Sequence, residues 1–133
     1  MHTPSAESVA GPTVLVVEDD VLVRLDLAEE LRARGVAVIE AGDAHQATKV
    51  LESGWRIDLV VSDVQMPGAM DGFGLAAWIW LRRPAVKVML TSAHFQAARR
   101  AGLDGDATFV EKPYRTDAVA SRIVQDLKPP ACE

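Results

Sequence analysis

The feature that most limits the folds open to this chain is a regular alternation of short apolar runs with longer amphipathic stretches. Four runs rich in β-branched residues are TVLVV (13–17), VAVIE (36–40), DLVVS (58–62) and VKVML (86–90), and a weaker one is ATFVE (107–111). The central runs are almost continuously apolar, which is typical of strands buried on both faces of a parallel sheet. We therefore expect five buried parallel strands.

The stretches between these runs have the spacing of helices that pack one face on a core. In the first stretch an apolar stripe is predicted at Val21, Leu25, Ala28 and Leu31. Further helices are expected within DAHQATKVLESG, GFGLAAWIWLRRP, FQAARRAGL and TDAVASRIVQDL, with Asp43 and Thr116 as candidate N-caps. Strands and helices that alternate in this way predict an α/β fold, a doubly wound five-stranded parallel sheet in a single domain.

The length and charge of the chain exclude several classes of protein. Its 133 residues fit one domain, which we place at residues 13–128, between a flexible leader (1–12) and a short tail (129–133). A net charge of −5, with no Lys/Arg run longer than two residues, argues against direct binding of nucleic acid. The single cysteine excludes an internal disulfide, and no apolar run approaches the ~20 residues of a membrane span. We expect a cytoplasmic protein without membrane contact.

Polar groups follow four of the predicted strands at the point where each strand ends. They are Glu18, Asp19 and Asp20 after the first strand, Asp63 after the third, Thr91 with Ser92 after the fourth, and Lys112 after the fifth. Ligands of open parallel sheets bind at the carboxyl ends of the strands, so we expect these groups to share one pocket. Taken singly, Asp20 and Thr91 could cap helices and Lys112 could be a surface charge.

Clustered carboxylates repel one another unless a cation neutralises them. Hard oxygen ligands in an open site suit Mg²⁺, which keeps several waters and takes one or two carboxylates directly. A carboxylate beside Mg²⁺ can attack a phosphoryl group to form an aspartyl phosphate. A lysine and a hydroxyl group at the same place would stabilise the charge on the transferring oxygens.

Four motifs, VLVVEDD, LVVSDVQMPGAMDG, VMLTSA and FVEKPY, occur in this order, and the chain thereby resembles the receiver domain of two-component response regulators. The separation is 28 residues from Asp63 to Thr91 and 21 from Thr91 to Lys112. The resemblance covers about residues 12–128. It implies the flavodoxin-like (βα)5 fold and a phosphoprotein. Because no output domain follows the last predicted helix, we expect the stand-alone, single-domain type.

The resemblance implies a role for each residue of the metal site. Asp63 is the phosphoacceptor and a Mg²⁺ ligand, and Asp19 is a direct ligand. Glu18 acts through a metal-bound water, and the backbone carbonyl of Gln65 is a further ligand. By the same resemblance, Mg²⁺ is the cofactor.

The resemblance also implies how the phosphorylated state is sensed. Thr91 hydrogen-bonds the phosphoryl oxygens and reorients, and Phe109 is the switch aromatic that packs inward or outward with it. Lys112 pairs with the phosphate, and Pro113 follows a cis peptide bond with Lys112, which an X-Pro bond adopts at low cost. Two departures stand out: PGAMDG is one residue longer than the usual turn, and Phe109 lacks the hydroxyl of the frequent tyrosine.

The expected partners follow from this family. A histidine kinase or a histidine phosphotransfer protein would supply the phosphoryl group to Asp63, and slow autodephosphorylation would reset the chain. The signal would reach a downstream protein target through the face built by the helix expected in FQAARRAGL, the last strand and the last helix. We expect a monomer or weak homodimer, and a signalling phosphoacceptor rather than an enzyme acting on other substrates.

In GLAAWIWLRR, Trp78 lies about 60° from Leu75 around the helix and Trp80 about 140° from it, at 100° per residue. Both cannot easily be buried beside the stripe of Leu75 and Ile79. The simpler interpretation is one packed and one surface tryptophan. The sharper one is a partner surface, because aromatic residues are enriched at interfaces.

Two alternatives remain open. A haloacid-dehalogenase-like phosphatase also uses a nucleophilic Asp with Mg²⁺, but it has a second Asp two residues later, where Gln65 stands. A phosphate-independent pseudo-receiver would keep the fold and serve only as an interaction module.

Overall fold

The computed structural model describes residues 11–93 and 108–128. The elements in chain order are β1 (Thr13–Val17), α1 (Val21–Ala33), β2 (Ala37–Ala41), α2 (Ala44–Glu52), β3 (Leu59–Asp63), α3 (Gly72–Arg82), β4 (Lys87–Ser92), β5 (Thr108–Glu111) and α4 (Thr116–Leu127). The strands pair in parallel in the order β2-β1-β3-β4-β5, which is the flavodoxin-like order. The α/β prediction is confirmed. The helix expected in FQAARRAGL, residues 1–10 of the leader and the tail lie outside the described residues.

β2, β3 and β4 each begin one residue later than the sequence predicts. At β2 and β4 the first residue of the apolar run still bonds to the end of the preceding helix. Val36 and Val86 are buried, but their backbone N–H groups donate to helix ends. Val36 donates to the carbonyl of Leu31 (3.1 Å), and Val86 donates to that of Arg83 (3.0 Å). The apolar runs therefore mark burial correctly at β1, β3 and β4, whereas the edge strands β2 and β5 are mostly half-buried, and the runs at β2, β3 and β4 do not mark the first ladder residue.

The sheet is covered on both faces, because alternate strand residues point to opposite sides. On one face α2 and α3 form what we call the α2/α3 core, whose members include Leu15, Val17, Val60, Leu90, Ala47, Leu51, Leu75 and Ile79. On the other face α1 and α4 form the α1/α4 core, whose members include Val14, Val16, Val61, Met89, Leu27, Leu31, Val119 and Ile123. Burying each large side chain contributes about 1.5–3 kcal/mol.

The predicted stripe of α1 is wrong at its first two positions. Ala28 and Leu31 are buried as expected, but Val21 is 53% exposed and Leu25 is 39% exposed, and Leu27 is buried instead. The first turn of α1 starts just beyond the carboxyl end of β1, where no strand lies beneath it. The buried apolar residues of α1 begin only at Leu27, in its second turn.

The predicted caps hold at α2 but not at α4. Asp43 accepts a hydrogen bond from the backbone N–H of Gln46 (2.8 Å) and caps α2. The cap position of α4 is Arg115, without a side-chain cap bond, and the hydroxyl of Thr116 donates to Asp26 of α1 instead. The Thr116 hydroxyl is engaged with α1, which explains why it does not cap α4 as the sequence predicted.

Candidate functional site

The carboxyl ends of four strands bring the predicted site residues to one edge of the sheet. Asp63 is the last residue of β3, and it lies beside Thr91 of β4 in the register of the sheet. Glu18 follows β1, and Lys112 follows β5. β1 and β3 are neighbours although β2 separates them in sequence, so the pocket forms where the strand order reverses.

Three carboxylates form the centre of this pocket. One oxygen from each of Glu18, Asp19 and Asp63 lies within 4.8 Å of the others. Glu18 and Asp63 are buried, whereas Asp19 is exposed. Burial is the main cause that raises the pKa of Glu18, and hydrogen bonds from Lys112 and from the backbone of Asp20 oppose it.

The ammonium group of Lys112 joins two of these acids. Its Nζ donates to Oε1 of Glu18 and to Oδ2 of Asp63, each at 2.9 Å. Burial alone would lower the pKa of Lys112, but the two hydrogen bonds and the negative charges of Asp63 and Glu18 outweigh it and raise the pKa. Lys112 therefore stays charged and balances part of the acidic cluster.

Asp20 does a different job from the two acids before it. Its Oδ1 accepts hydrogen bonds from the backbone N–H groups of Leu22 (3.0 Å) and Val23 (3.2 Å), which makes it the N-cap of α1. Its own N–H donates to Oε2 of Glu18 at 3.1 Å. The acidic triplet is therefore two pocket residues followed by a cap.

The loop after Asp63 is exposed at its turn, Pro67 to Ala69, and contacts the core through the methionines on either side. Met66 and Met70 pack against the α2/α3 core, and Asp71 caps α3 by accepting from the N–H of Gly74 (2.9 Å). Gln65 donates its N–H to Oδ1 of Asp63 at 3.3 Å, so its backbone lies next to the acid. The long turn thus leaves Asp63 directly tied to the start of the loop.

Gly72 is required because α3 begins against the backbone of the phosphoacceptor candidate. A Cβ atom at Gly72 would lie 2.3 Å from the carbonyl oxygen of Asp63 and 2.7 Å from the Cα of Val64. Both atoms belong to the main chain and cannot rotate away. We expect Gly72→Ala to lower the free energy of unfolding by about 1–3 kcal/mol, as measured by urea denaturation, because the start of α3 must move.

Gly74→Ala is the matched control for this prediction. A Cβ there would come closest to Cγ of Met70 at 2.8 Å, and a methionine side chain can shift. Alanine also favours the helix over glycine by about 1 kcal/mol, so we expect little loss of stability. Equal stability of Gly72→Ala and the wild type would contradict the steric argument.

The remaining predicted residues lie at the ends of β4 and β5. Thr91 is 2% exposed, and Phe109 is half-buried against the α2/α3 core, paired with Leu90 across the sheet. The peptide bond between Lys112 and Pro113 is cis, as the resemblance implied. Thr91 and Phe109 thus lie on adjacent strands. Their role in switching stays a prediction.

Trp78 and Trp80 are both half-buried, and both pack against the α2/α3 core. The guanidinium carbon of Arg82 lies 4.9 Å from the ring centre of Trp78, which is a cation–π distance. The most exposed large apolar residue of α3 is Leu81, at 81%. Both tryptophans therefore pack partly on the core, instead of one being packed and one lying on the surface, and their role as a partner surface stays a prediction. Leu81 adds an exposed apolar side chain that the sequence analysis did not single out.

An open cleft of about 750 Å³ lies beside Lys112, between the start of α1 and the start of α4. Its lining includes Leu22, which is 77% exposed, and Tyr114. Burial, followed by the negative charge of Glu18, raises the pKa of Tyr114 to about 12, so this phenol stays protonated at neutral pH. No sequence motif pointed to this cleft, because it depends on the packing of α1 beside α4.

Among the helices of the described residues, none has both the length and the apolar character needed to cross a membrane.

Residues 14–124 match the protein family described as response regulator receiver domain. The chain is 37% identical over 114 residues to the transcriptional regulatory protein PdtaR of Mycobacterium tuberculosis, covering 84% of this chain and 55% of PdtaR. It is 34% identical over 119 residues to the sensor kinase CckA of Brucella abortus, covering 87% of this chain and 12% of CckA. The chain thus spans about half the length of PdtaR and a small part of CckA.

The fold of this chain is also similar to solved structures of receiver domains. A response regulator receiver protein from Sinorhizobium medicae has a TM-score of 0.81 at 25% identity, with 90% of this chain and 97% of that chain covered. The receiver domain of the hybrid histidine kinase CckA has a TM-score of 0.74 at 35% identity, covering 87% and 99%. The response regulator TrrA of Thermotoga maritima, in complex with Mg²⁺-BeF, has a TM-score of 0.74 at 30% identity, covering 88% and 99%.

Proposed function

This chain belongs to the family of response regulator receiver domains of two-component systems, and from that membership we propose that it accepts a phosphoryl group on Asp63. The observation that supports this most is the position of the Asp63 carboxylate, 2.9 Å from the Lys112 ammonium and beside the carboxylates of Glu18 and Asp19. An acid with a fixed cation on one side and a candidate metal site on the other is suited to phosphoryl transfer.

The residues present fit Mg²⁺. The three clustered carboxylates supply hard oxygen atoms, which Mg²⁺ prefers over nitrogen or sulfur ligands. Asp19, Asp63 and the backbone carbonyl of Gln65 would hold the ion directly, and Glu18 would reach it through a water. When bound, the ion would neutralise charge on the transferring oxygens. The solved relative TrrA was crystallised with Mg²⁺-BeF.

The side chains of this protein would perform the transfer as follows. One oxygen of Asp63 forms a bond to phosphorus while the P–N bond to the phosphohistidine of a partner protein breaks. The bonding electron pair stays with the imidazole nitrogen, and the ring, protonated on its other nitrogen, leaves neutral. Lys112 already donates a hydrogen bond to Asp63, and its ammonium group would donate to an oxygen of the new phosphoryl group. Thr91 would donate its hydroxyl to another phosphoryl oxygen.

The partner that supplies the phosphoryl group would be a histidine kinase or a histidine phosphotransfer protein. Such a protein must bring an imidazole to the edge of the sheet, and the cleft beside Lys112 leaves one side of that edge open. Exposed apolar residues there, Val21 and Leu22, would give the partner a surface to bury. A downstream protein target would then respond to a change of Thr91 and Phe109, which lie on adjacent strands.

Incubation of the wild-type chain with acetyl phosphate and Mg²⁺ tests the proposal. We expect intact-mass spectrometry to show a gain of one phosphoryl group, ~80 Da. Removal of Mg²⁺ by EDTA should suppress the gain, because three clustered acids would then repel the incoming phosphate. No gain under either condition, from a folded sample, would instead support a phosphate-independent interaction module.

A further inference from the structure

The backbone at Glu18 is held by groups that lie outside the acidic pocket. Its N–H donates to the carbonyl of Ala41 at the end of β2 (3.1 Å). Its carbonyl oxygen accepts a hydrogen bond from Nη1 of Arg24, in the first turn of α1 (2.8 Å). Arg24 is therefore tied to the main chain of the pocket without contributing an atom to the acidic cluster itself.

Arg24 is in turn fixed by an ion pair. Its Nε donates to Oε1 of Glu40 at 3.2 Å, and the other oxygen of Glu40 accepts from Arg32 at 3.2 Å. The side chains of Arg24 and Glu40 are only 19% and 23% exposed, so solvent screens this pair less than a surface pair. The planar guanidinium group can donate to Glu40 and to the Glu18 carbonyl at once, which a lysine cannot do with the same geometry.

The carbonyl that Arg24 holds belongs to the peptide group that joins Glu18 to Asp19. Because a peptide group is planar, fixing its oxygen fixes the orientation of the whole unit between the two acids. Rotation of this unit would turn the Cα–Cβ bond of Asp19 relative to that of Glu18. The distance between their carboxylates, and from both to Asp63, depends on that orientation.

We propose that Arg24 is a positioning residue that sets the orientation of Glu18 and Asp19, and through it the affinity of the pocket for Mg²⁺. This inference rests on the proposed function, because it takes the acidic cluster to be a Mg²⁺ site. Groups that hold metal ligands in place typically change metal affinity about 10- to 100-fold when they are removed.

The charge of Arg24 acts in the opposite direction to its positioning effect. A guanidinium near the pocket repels a cation, so the removal of the charge alone would raise the affinity for Mg²⁺. Loss of the hydrogen bond to the Glu18 carbonyl would lower it. The direction of the change therefore separates the two effects.

The test is a titration of the full chain with MgCl₂, followed by ¹H–¹⁵N NMR signals of the backbone amides near Asp19 and Gln65. We expect Arg24→Met to bind Mg²⁺ about tenfold more weakly than the wild type. Arg32→Met is the matched control, because it removes the same charge from α1 and also loses a contact with Glu40 but does not touch Glu18. Its affinity should stay within about twofold of the wild type.

Arg24→Lys keeps the proposal testable if Arg24→Met does not fold. It retains the charge but cannot make both hydrogen bonds, so we expect an affinity about threefold weaker. Thermal unfolding of each variant establishes that it is folded at the titration temperature. Unchanged or tighter binding in the folded Arg24 variants, or an equal loss in Arg32→Met, would overturn the positioning role while the proposed function stands. A wild-type chain that bound no Mg²⁺ would overturn both.

Discussion

Asp63→Asn is expected to abolish phosphorylation by acetyl phosphate completely, while the chain stays folded. The amide has nearly the shape of the carboxylate but lacks the anionic oxygen that must attack phosphorus. The fold should tolerate the change, because it removes one of three mutually repelling charges and leaves Glu18 to pair with Lys112 at 2.9 Å. Intact-mass spectrometry after incubation with Mg²⁺ and acetyl phosphate should show no gain of ~80 Da.

Asp43→Asn is the matched control for this change. Asp43 is the N-cap of α2, and asparagine caps a helix about as well as aspartate, so the fold should be preserved. We expect this variant to gain a phosphoryl group like the wild type. A gain of mass that persists in Asp63→Asn would show that another side chain is the acceptor.

Asp19→Asn is expected to weaken Mg²⁺ binding by roughly two orders of magnitude, with a smaller loss, under about tenfold, in Glu18→Gln. The two carboxylates differ in the hydrogen bonds that they already accept. Those of Glu18 accept hydrogen bonds from Lys112 and from the N–H of Asp20. No side-chain hydrogen bond to Asp19 occurs within residues 11–93 and 108–128, and Asp19 is exposed. Asp19 is thus the acid available for direct contact with the ion.

Calorimetric titration with MgCl₂ measures this difference. Asp20→Asn serves as the control, because it removes a neighbouring negative charge while preserving the cap of α1. We expect its affinity to change by about threefold or less, since an exposed charge outside the cluster is screened. If Asp20→Asn and Asp19→Asn lost affinity equally, the site would respond to total charge rather than to a specific ligand.

The meeting of Glu18, Asp63 and Lys112 could be predicted from the sequence because it depends on topology alone. Each follows or ends an apolar run, and parallel strands place their carboxyl ends at one edge of the sheet. The cap role of Asp20 was also accessible, because capping depends on atoms only two or three residues away.

The contacts that support the site were not accessible in this way. Arg24 donates to a backbone carbonyl, and because every residue has one, the sequence does not mark the acceptor. The need for glycine at position 72 arises from the approach of α3 to the Asp63 backbone. The exposure of Val21 and Leu25 depends on how far α1 extends past the sheet, and helical spacing alone carries no information on that.

The location of the tryptophans has a practical consequence for spectroscopy. Two of the three tryptophans, Trp78 and Trp80, lie late in α3 and pack against the α2/α3 core, towards the amino ends of the strands, whereas Trp55 before β3 is 48% exposed. The acidic pocket is at the opposite ends of those strands. We therefore expect the fluorescence of these two tryptophans to report whether the α2/α3 layer is folded, and to respond little to a ligand in the pocket.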